Sequence, residues 1–192
     1  KTKKQRKKKN NITKKKNIAG KVIGSGGFGC ILRPQLKCLN PFKTYDKNGI
    51  SKLMKTKYVN EELKEIKLLK KITKNIKNRN NYFLLNNIHS CKPKKFKENE
   101  LKELKNCKNL NKLNINSNNI KKKLNLLKVL NMPYGGIDID DFWDIWIKKN
   151  LQEQNDIFNK VNNSLIDLLE NAIIKFNLRN YYLSDIKGSN IL

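Results

Sequence analysis

The sequence predicts an α+β chain in which a five-stranded antiparallel sheet carrying one helix is followed by a mostly helical stretch. Three observations predict it. Short apolar and β-branched runs flank a glycine cluster between Ile18 and Arg33, as two strands joined by a flexible turn would. Leu63, Ile66, Leu69 and Ile72 recur at helical spacing. Beyond Gly136 the apolar residues keep that helical spacing to the end of a long segment, with few turn residues between them.

In chain order, Lys1–Lys16 is a run of lysines broken by Thr, Gln, Arg, Asn and Ile. It lacks the apolar residues a core requires, so residues 1–17 are expected to be a disordered basic arm. Two strands follow in Ile18–Arg33, then a loop punctuated by Pro34, Pro41 and Gly49. A third strand is expected at Gly49–Met54 and a helix at Asn60–Thr73. Tyr82–Ile88 reads as a fourth strand. Lys92–Lys123 is rich in Lys and Asn with scattered Leu and Ile, and reads as an insertion with weak helix and little chemistry. Leu124–Met132 is apolar enough for a buried strand, and Pro133-Tyr134-Gly135-Gly136 marks a hinge. Asp140–Leu151 reads as a helix with Asp138 or Asp140 as cap. A longer helix is expected from about Asp156 to Leu178, turning Ile157, Val161, Leu165, Leu168, Leu169 and Ile173 toward a core.

The 192 residues suffice for one domain, or for one lobe and part of another. Forty-three Lys and Arg against 16 Asp and Glu give a formal charge of +27, the sign of a polyanion partner. Lys and Asn are abundant throughout, as an A/T-rich coding sequence would make them at permissive surface positions. No aromatic-interleaved basic patch and no nucleic-acid-binding module is visible in the sequence, so specific nucleic-acid binding is not expected. No signal peptide or apolar run of membrane-spanning length is visible, and a soluble intracellular monomer is expected. Cys30, Cys38, Cys91 and Cys107 show no C-x-x-C pairing and read as reduced thiols.

Ile23-Gly24-Ser25-Gly26-Gly27-Phe28-Gly29-Cys30-Ile31 fits G-x-G-x-x-G, which serves two architectures. In a dinucleotide-binding unit the last glycine opens a helix. Here Gly29 runs into Cys30-Ile31-Leu32-Arg33-Pro34, so a strand-turn-strand lid over phosphates is expected, with Phe28 at the tip excluding water.

With Asp185-Ile186-Lys187-Gly188-Ser189-Asn190 near the end, the chain resembles eukaryotic-type Ser/Thr protein kinases over Ile18–Leu192. The resemblance implies a kinase-like N-lobe over residues 18–134, holding the five-stranded sheet and one helix, and the start of a helical C-lobe over 135–192. It implies ATP and Mg2+ as cofactors and a protein substrate. Ile23, Gly24, Ser25, Gly26, Gly27, Phe28, Gly29 and Ile31 would enclose the nucleotide. Gly49-Ile50-Ser51-Lys52 resembles the V-A-I-K strand, so Lys52 would hold the α- and β-phosphates. Glu65 would be its helix partner, with Glu61 and Glu62 one turn away as alternatives. Met132 would be the gatekeeper, and backbone groups of Pro133 and Gly135 would read adenine. Tyr182-Leu183-Ser184-Asp185-Ile186-Lys187-Gly188-Ser189-Asn190 resembles H-R-D-L-K-x-x-N. Asp185 would accept the substrate hydroxyl proton, Lys187 would steady the transferring phosphoryl group, and Asn190 would bind magnesium.

Leu183 and Ser184 replace the His and Arg of that motif, which implies no control by activation-loop phosphorylation. The chain starts at Lys1 and stops two residues past Asn190, so it reads as an excerpt of a longer frame. No D-F-G, activation loop or A-P-E lies within it, and phosphoryl transfer by this stretch is expected to be weak or absent. The texture looks most like Ser/Thr kinases of large DNA viruses, which implies host cytoplasm or virion. Two other readings stand beside catalysis: a pseudokinase or scaffold that binds nucleotide, and a basic nucleic-acid-associated protein with a kinase-like fold.

Overall fold

The computed structural model describes residues 20–40 and 45–192. The expected basic arm at 1–17 lies outside the described residues. The architecture is α+β, built on a five-stranded sheet whose neighbouring strands all pair antiparallel. The strands are β1 (Lys21–Gly26), β2 (Gly29–Arg33), β3 (Ile50–Lys55), β4 (His89–Cys91) and β5 (Leu127–Met132), in the order β1-β2-β3-β5-β4.

Strand alternation splits the residues between two faces. Cys30, Leu32, Leu53, Leu127 and Val129 point into one core layer, and Met54 and Leu130 into the other. Helix α1 (Thr56–Ile72) covers the second layer with Val59, Leu63 and Ile66. It follows β3 without a connecting loop, four residues earlier than its apolar spacing suggested. Thr73 closes it, its N–H and its hydroxyl both donating to the Leu69 carbonyl, at 2.9 and 2.6 Å.

The opposite face is covered by the stretch that reads as a weakly structured insertion. It forms α2 (Glu98–Glu103), a 3-10 turn at Leu104–Asn106 and α3 (Lys108–Lys112). Its Leu101, Leu104, Leu110, Ile115 and Ile120 belong to the larger core layer. Sparse leucines at the right turns suffice because most of the polar residues between them face water.

Two further expectations are corrected. The four cysteines form two disulfides, Cys30–Cys107 and Cys38–Cys91, each with Cα atoms 5.7 Å apart. The partners lie 77 and 53 residues apart, so local spacing gives no sign of the pairing. Tyr82–Ile88 is loop, and the short strand β4 begins at His89. Phe83, which made that stretch look strand-like, packs its ring 6.3 Å from Phe176.

Beyond the hinge lie α4 (Ile139–Trp146) and α5 (Leu151–Leu168), which continues through one π turn (Leu169–Ile173) into α6 (Ile174–Asn177). Asp138 caps α4, accepting from the Asp141 N–H at 2.9 Å, and Asn150 caps α5 through the Glu153 N–H. The stripe expected to face a core does so in part: Ile157, Val161, Leu165, Leu168 and Ile173 are half-buried and Leu169 is exposed, and Ala172 and Phe176 alone are buried among the described residues past Gly136. Among the described residues no helix is long and apolar enough to cross a membrane.

Candidate functional site

The glycine segment forms the strand-turn-strand that Arg33-Pro34 implied. β1 and β2 pair from Lys21↔Arg33 to Gly26↔Gly29, with an irregularity between Val22 and Gly24. Glycine is required at position 29, where a Cβ would collide with the Leu53 carbonyl oxygen of the neighbouring strand. Phe28 at the tip is half-exposed and stacks on Tyr58 in the first turn of α1, the ring centroids 4.5 Å apart. Ile23 and Ser25 are exposed, Gly26 and Gly27 have open space above their Cα atoms, and Gly24 lies against Ile31. Asn109 of α3 donates its side-chain amide to the Gly26 carbonyl, and the Cys30–Cys107 disulfide ties α3 to the strand leaving the loop.

Lys52 sits in a cross-strand row, Gly24↔Ile31, Ile31↔Lys52 and Lys52↔Leu130, on the sheet face that α1 covers. The strand register therefore places an ammonium group on the same face as the glycine segment and Met132. Its partner is Glu62, to which it donates in an ion pair with both side chains about three-quarters buried. Glu65, the expected partner, is exposed. At 3.6 residues per turn Glu62 flanks the stripe of Val59, Leu63 and Ile66 by roughly a sixth of a turn, whereas Glu65 lies roughly a third of a turn away. Because α1 begins directly after β3, the register moves by one turn relative to a helix that starts at Asn60.

At the hinge, Met132 packs against the α1-side core. Its carbonyl accepts from the Gln35 side chain at 3.1 Å, and the Arg33 guanidinium lies 3.7 Å over the Tyr134 ring. No hydrogen bond among the described residues uses the Pro133 carbonyl or the Gly135 N–H. Gly135 is pressed by Leu84 and Leu192, which leave no room for a Cβ.

Asp185, Lys187 and Asn190 come together in the 3-10 turn region Gly188–Asn190. The Lys187 ammonium is 3.1 Å from Asp185 Oδ1, and the Asn190 amide donates to Asp185 Oδ2 at 3.0 Å and to its main-chain carbonyl at 2.8 Å. Lys187 first, and then Asn190, hold the Asp185 carboxyl below its ordinary value. The segment is anchored to the start of α4, where the Ile139 N–H donates to the Ile191 carbonyl at 2.9 Å and Gly188 leaves no space beside Asp140.

The Lys52–Glu62 pair offers a fixed cation for anionic oxygens. Asp185 offers a carboxylate whose ionised form is favoured, and Asn190, with both of its bonds to Asp185 made by the amide nitrogen, has its Oδ1 turned to accept or to ligate a hard cation. Among the described residues no group of three or more His, Cys, Asp or Glu is placed to hold a metal ion. Sequence reasoning missed Tyr58, Asn109 and Gln35, whose roles come from packing across 30, 83 and 97 residues and leave no local signal. Compared with family models, with curated proteins and with solved structures, the chain matches none.

Proposed function

We propose that this chain carries the nucleotide-binding sheet and the catalytic loop of a Ser/Thr protein kinase, using ATP and Mg2+. The observation that carries the reading is the Lys52–Glu62 pair on the sheet face shared with the glycine segment. A lysine buried among apolar residues is costly unless paired, and this pairing leaves an ammonium poised where phosphates would lie under the hairpin.

In this reading Ile23, Ile31 and Met132 contact the base, with the Pro133 carbonyl and Gly135 N–H as its polar partners. Phe28, stacked on Tyr58, limits water at the phosphates. Asp185 orients the acceptor hydroxyl and receives its proton, and Lys187 neutralises charge on the phosphoryl oxygens. Bound Mg2+ would supply charge neutralisation at the phosphates. Asn190 would hold it through Oδ1; magnesium keeps several waters and takes few protein ligands, which suits so sparse a donor set.

The test is Mg-ATP binding by this chain, and transfer of radiolabelled γ-phosphate to a basic protein by a longer reading frame that carries a D-F-G. Lys52→Met is expected to weaken nucleotide binding at least tenfold, about 1.4 kcal/mol. Glu62→Gln is expected to lower it severalfold, and Glu65→Gln to leave it unchanged. Asp185→Asn is expected to abolish transfer and spare binding. Failure of the folded protein to bind Mg-ATP would overturn the proposal; binding without transfer would leave a nucleotide-binding scaffold.

A further inference from the structure

A second candidate site lies across the sheet from Lys52. The segment after β2 runs antiparallel beside the segment after β4: the Lys94 N–H donates to the Lys37 carbonyl at 2.8 Å and the Leu39 N–H to the Lys92 carbonyl at 2.9 Å. Cys38–Cys91 and a bridge between Cys38 and Pro93 bind the two further. Buried polar contacts hold the first segment to the sheet, with the Leu36 N–H on Ser51 Oγ at 2.6 Å and the Gln35 amide on Met132. Between these segments and the start of α2 opens a groove of about 750 Å3. Its floor includes Leu36 and Phe96, members of the core layer that faces away from Lys52.

Five lysines line it: Lys37, Lys47, Lys94, Lys95 and Lys97. All five are exposed, and among the described residues none is ion-paired. The one carboxylate in the lining, Glu100, is buried and accepts from the Lys97 N–H at 2.7 Å, where it caps α2. Tyr45 stands among the lysines with 41 % of its surface exposed and the Lys37 ammonium 5.6 Å from its ring centroid. Five like charges lining an open groove repel one another, and that repulsion is relieved by an anionic chain with charges at intervals. An exposed aromatic ring inside such a groove is what a flat base stacks on.

We propose that this groove binds single-stranded nucleic acid, the lysines tracking its phosphates and Tyr45 stacking one base. It answers the absence of an aromatic-interleaved basic patch in the sequence, because Lys37, Tyr45 and Lys47 meet Lys94, Lys95 and Lys97 only when the chain is folded. The inference is independent of the phosphotransferase reading, since the groove opens on the opposite face of the sheet.

The test is fluorescence anisotropy of labelled twelve-residue oligo-dT and oligo-rU across a salt series. The triple variant Lys37→Gln, Lys94→Gln, Lys95→Gln is compared with an equal charge loss on exposed α1 positions, Lys64→Gln, Lys67→Gln, Lys71→Gln. Thermal unfolding verifies that both fold. The groove variant is expected to bind about tenfold more weakly and to lower the slope of log K against log salt by about 2, since a single strand releases about 0.7 counterion per phosphate contact. The α1 variant is expected to change either value little. Tyr45→Ala is expected to cost about tenfold without altering the slope. Equal losses in the two triple variants would overturn the proposal in favour of diffuse attraction by net charge. Binding of polyglutamate as tight as that of the oligonucleotides, or no effect of Tyr45→Ala, would overturn it in favour of an acidic protein partner.

Discussion

The sheet half and the helical half of this protein are ordered by different means. Residues 20–132 bury two apolar layers, one on each face of the sheet, and fasten them with two disulfides. Past Gly136, α5 is capped by Asn150, supported by a Gln152–Asp156 contact one turn apart, and has half-buried but no fully buried residues. Leu151 and Leu178 are each 78 % exposed, and Tyr182 is 71 % exposed. The helical half touches the other through a few side chains: Tyr82 on Asp167 at 2.9 Å, Arg179 on the Ile72 carbonyl at 3.2 Å, and Phe83 against Phe176. Helices can be specified by caps and periodicity within one segment, whereas a sheet with two covered faces needs distant segments to meet. The candidate site draws on both halves: the glycine hairpin and Lys52 belong to the sheet, which is covered on both faces, and the loop of Asp185 to the sparsely buried helical half.

The largest test of this contrast is a pair of truncations. Leu53→Ala, at a fully buried position in the larger layer, is expected to destabilise by about 3–5 kcal/mol, and Leu165→Ala in α5 by under about 1 kcal/mol, in denaturant unfolding. Equal costs would erase the distinction. Next, Cys107→Ser removes a link that closes 77 residues and is expected to cost about 2–4 kcal/mol, read as a lower melting temperature. Mass mapping under non-reducing conditions that found four free thiols would contradict the pairing directly.

A smaller effect is expected at the loop itself. Asn109→Ala leaves the Gly26 carbonyl without its donor, at a cost of about 1 kcal/mol. Amide exchange over 24–29 should quicken while that over 50–55 stays slow; unchanged exchange would mean that the insertion does not brace the hairpin. The smallest effect is at Asp185. Its folded value lies below the unfolded one, so the contribution of its contacts is present above the ordinary carboxylate value of about 4 and is lost as pH falls through the depressed folded value. Carboxyl chemical shifts followed through that acid range should show Asp185 titrating below the ordinary carboxylate value, and Lys187→Gln should move its titration upward.

Much of this molecule follows from local pattern. The α+β class, the glycine hairpin, β3 ahead of a long helix, the end of the last strand before Pro133 and the clustering of Asp185 with Lys187 and Asn190 all depend on neighbours within a few residues, where periodicity, caps and turn chemistry act. Glu62 in place of Glu65 was within reach of the sequence only to within a turn, because the junction of β3 with α1 set the register. The rest required the chain to close on itself. Lys92–Lys123 reads as an insertion with weak helix, and becomes half of a core because a few leucines meet β1 and β2. The disulfides join cysteines 77 and 53 residues apart, and the five-lysine groove joins two segments that are separated in sequence by β3, α1 and β4. Short-range propensity is written residue by residue, but contact between remote segments depends on which surfaces remain uncovered once the sheet has formed, and burial of apolar area selects among them.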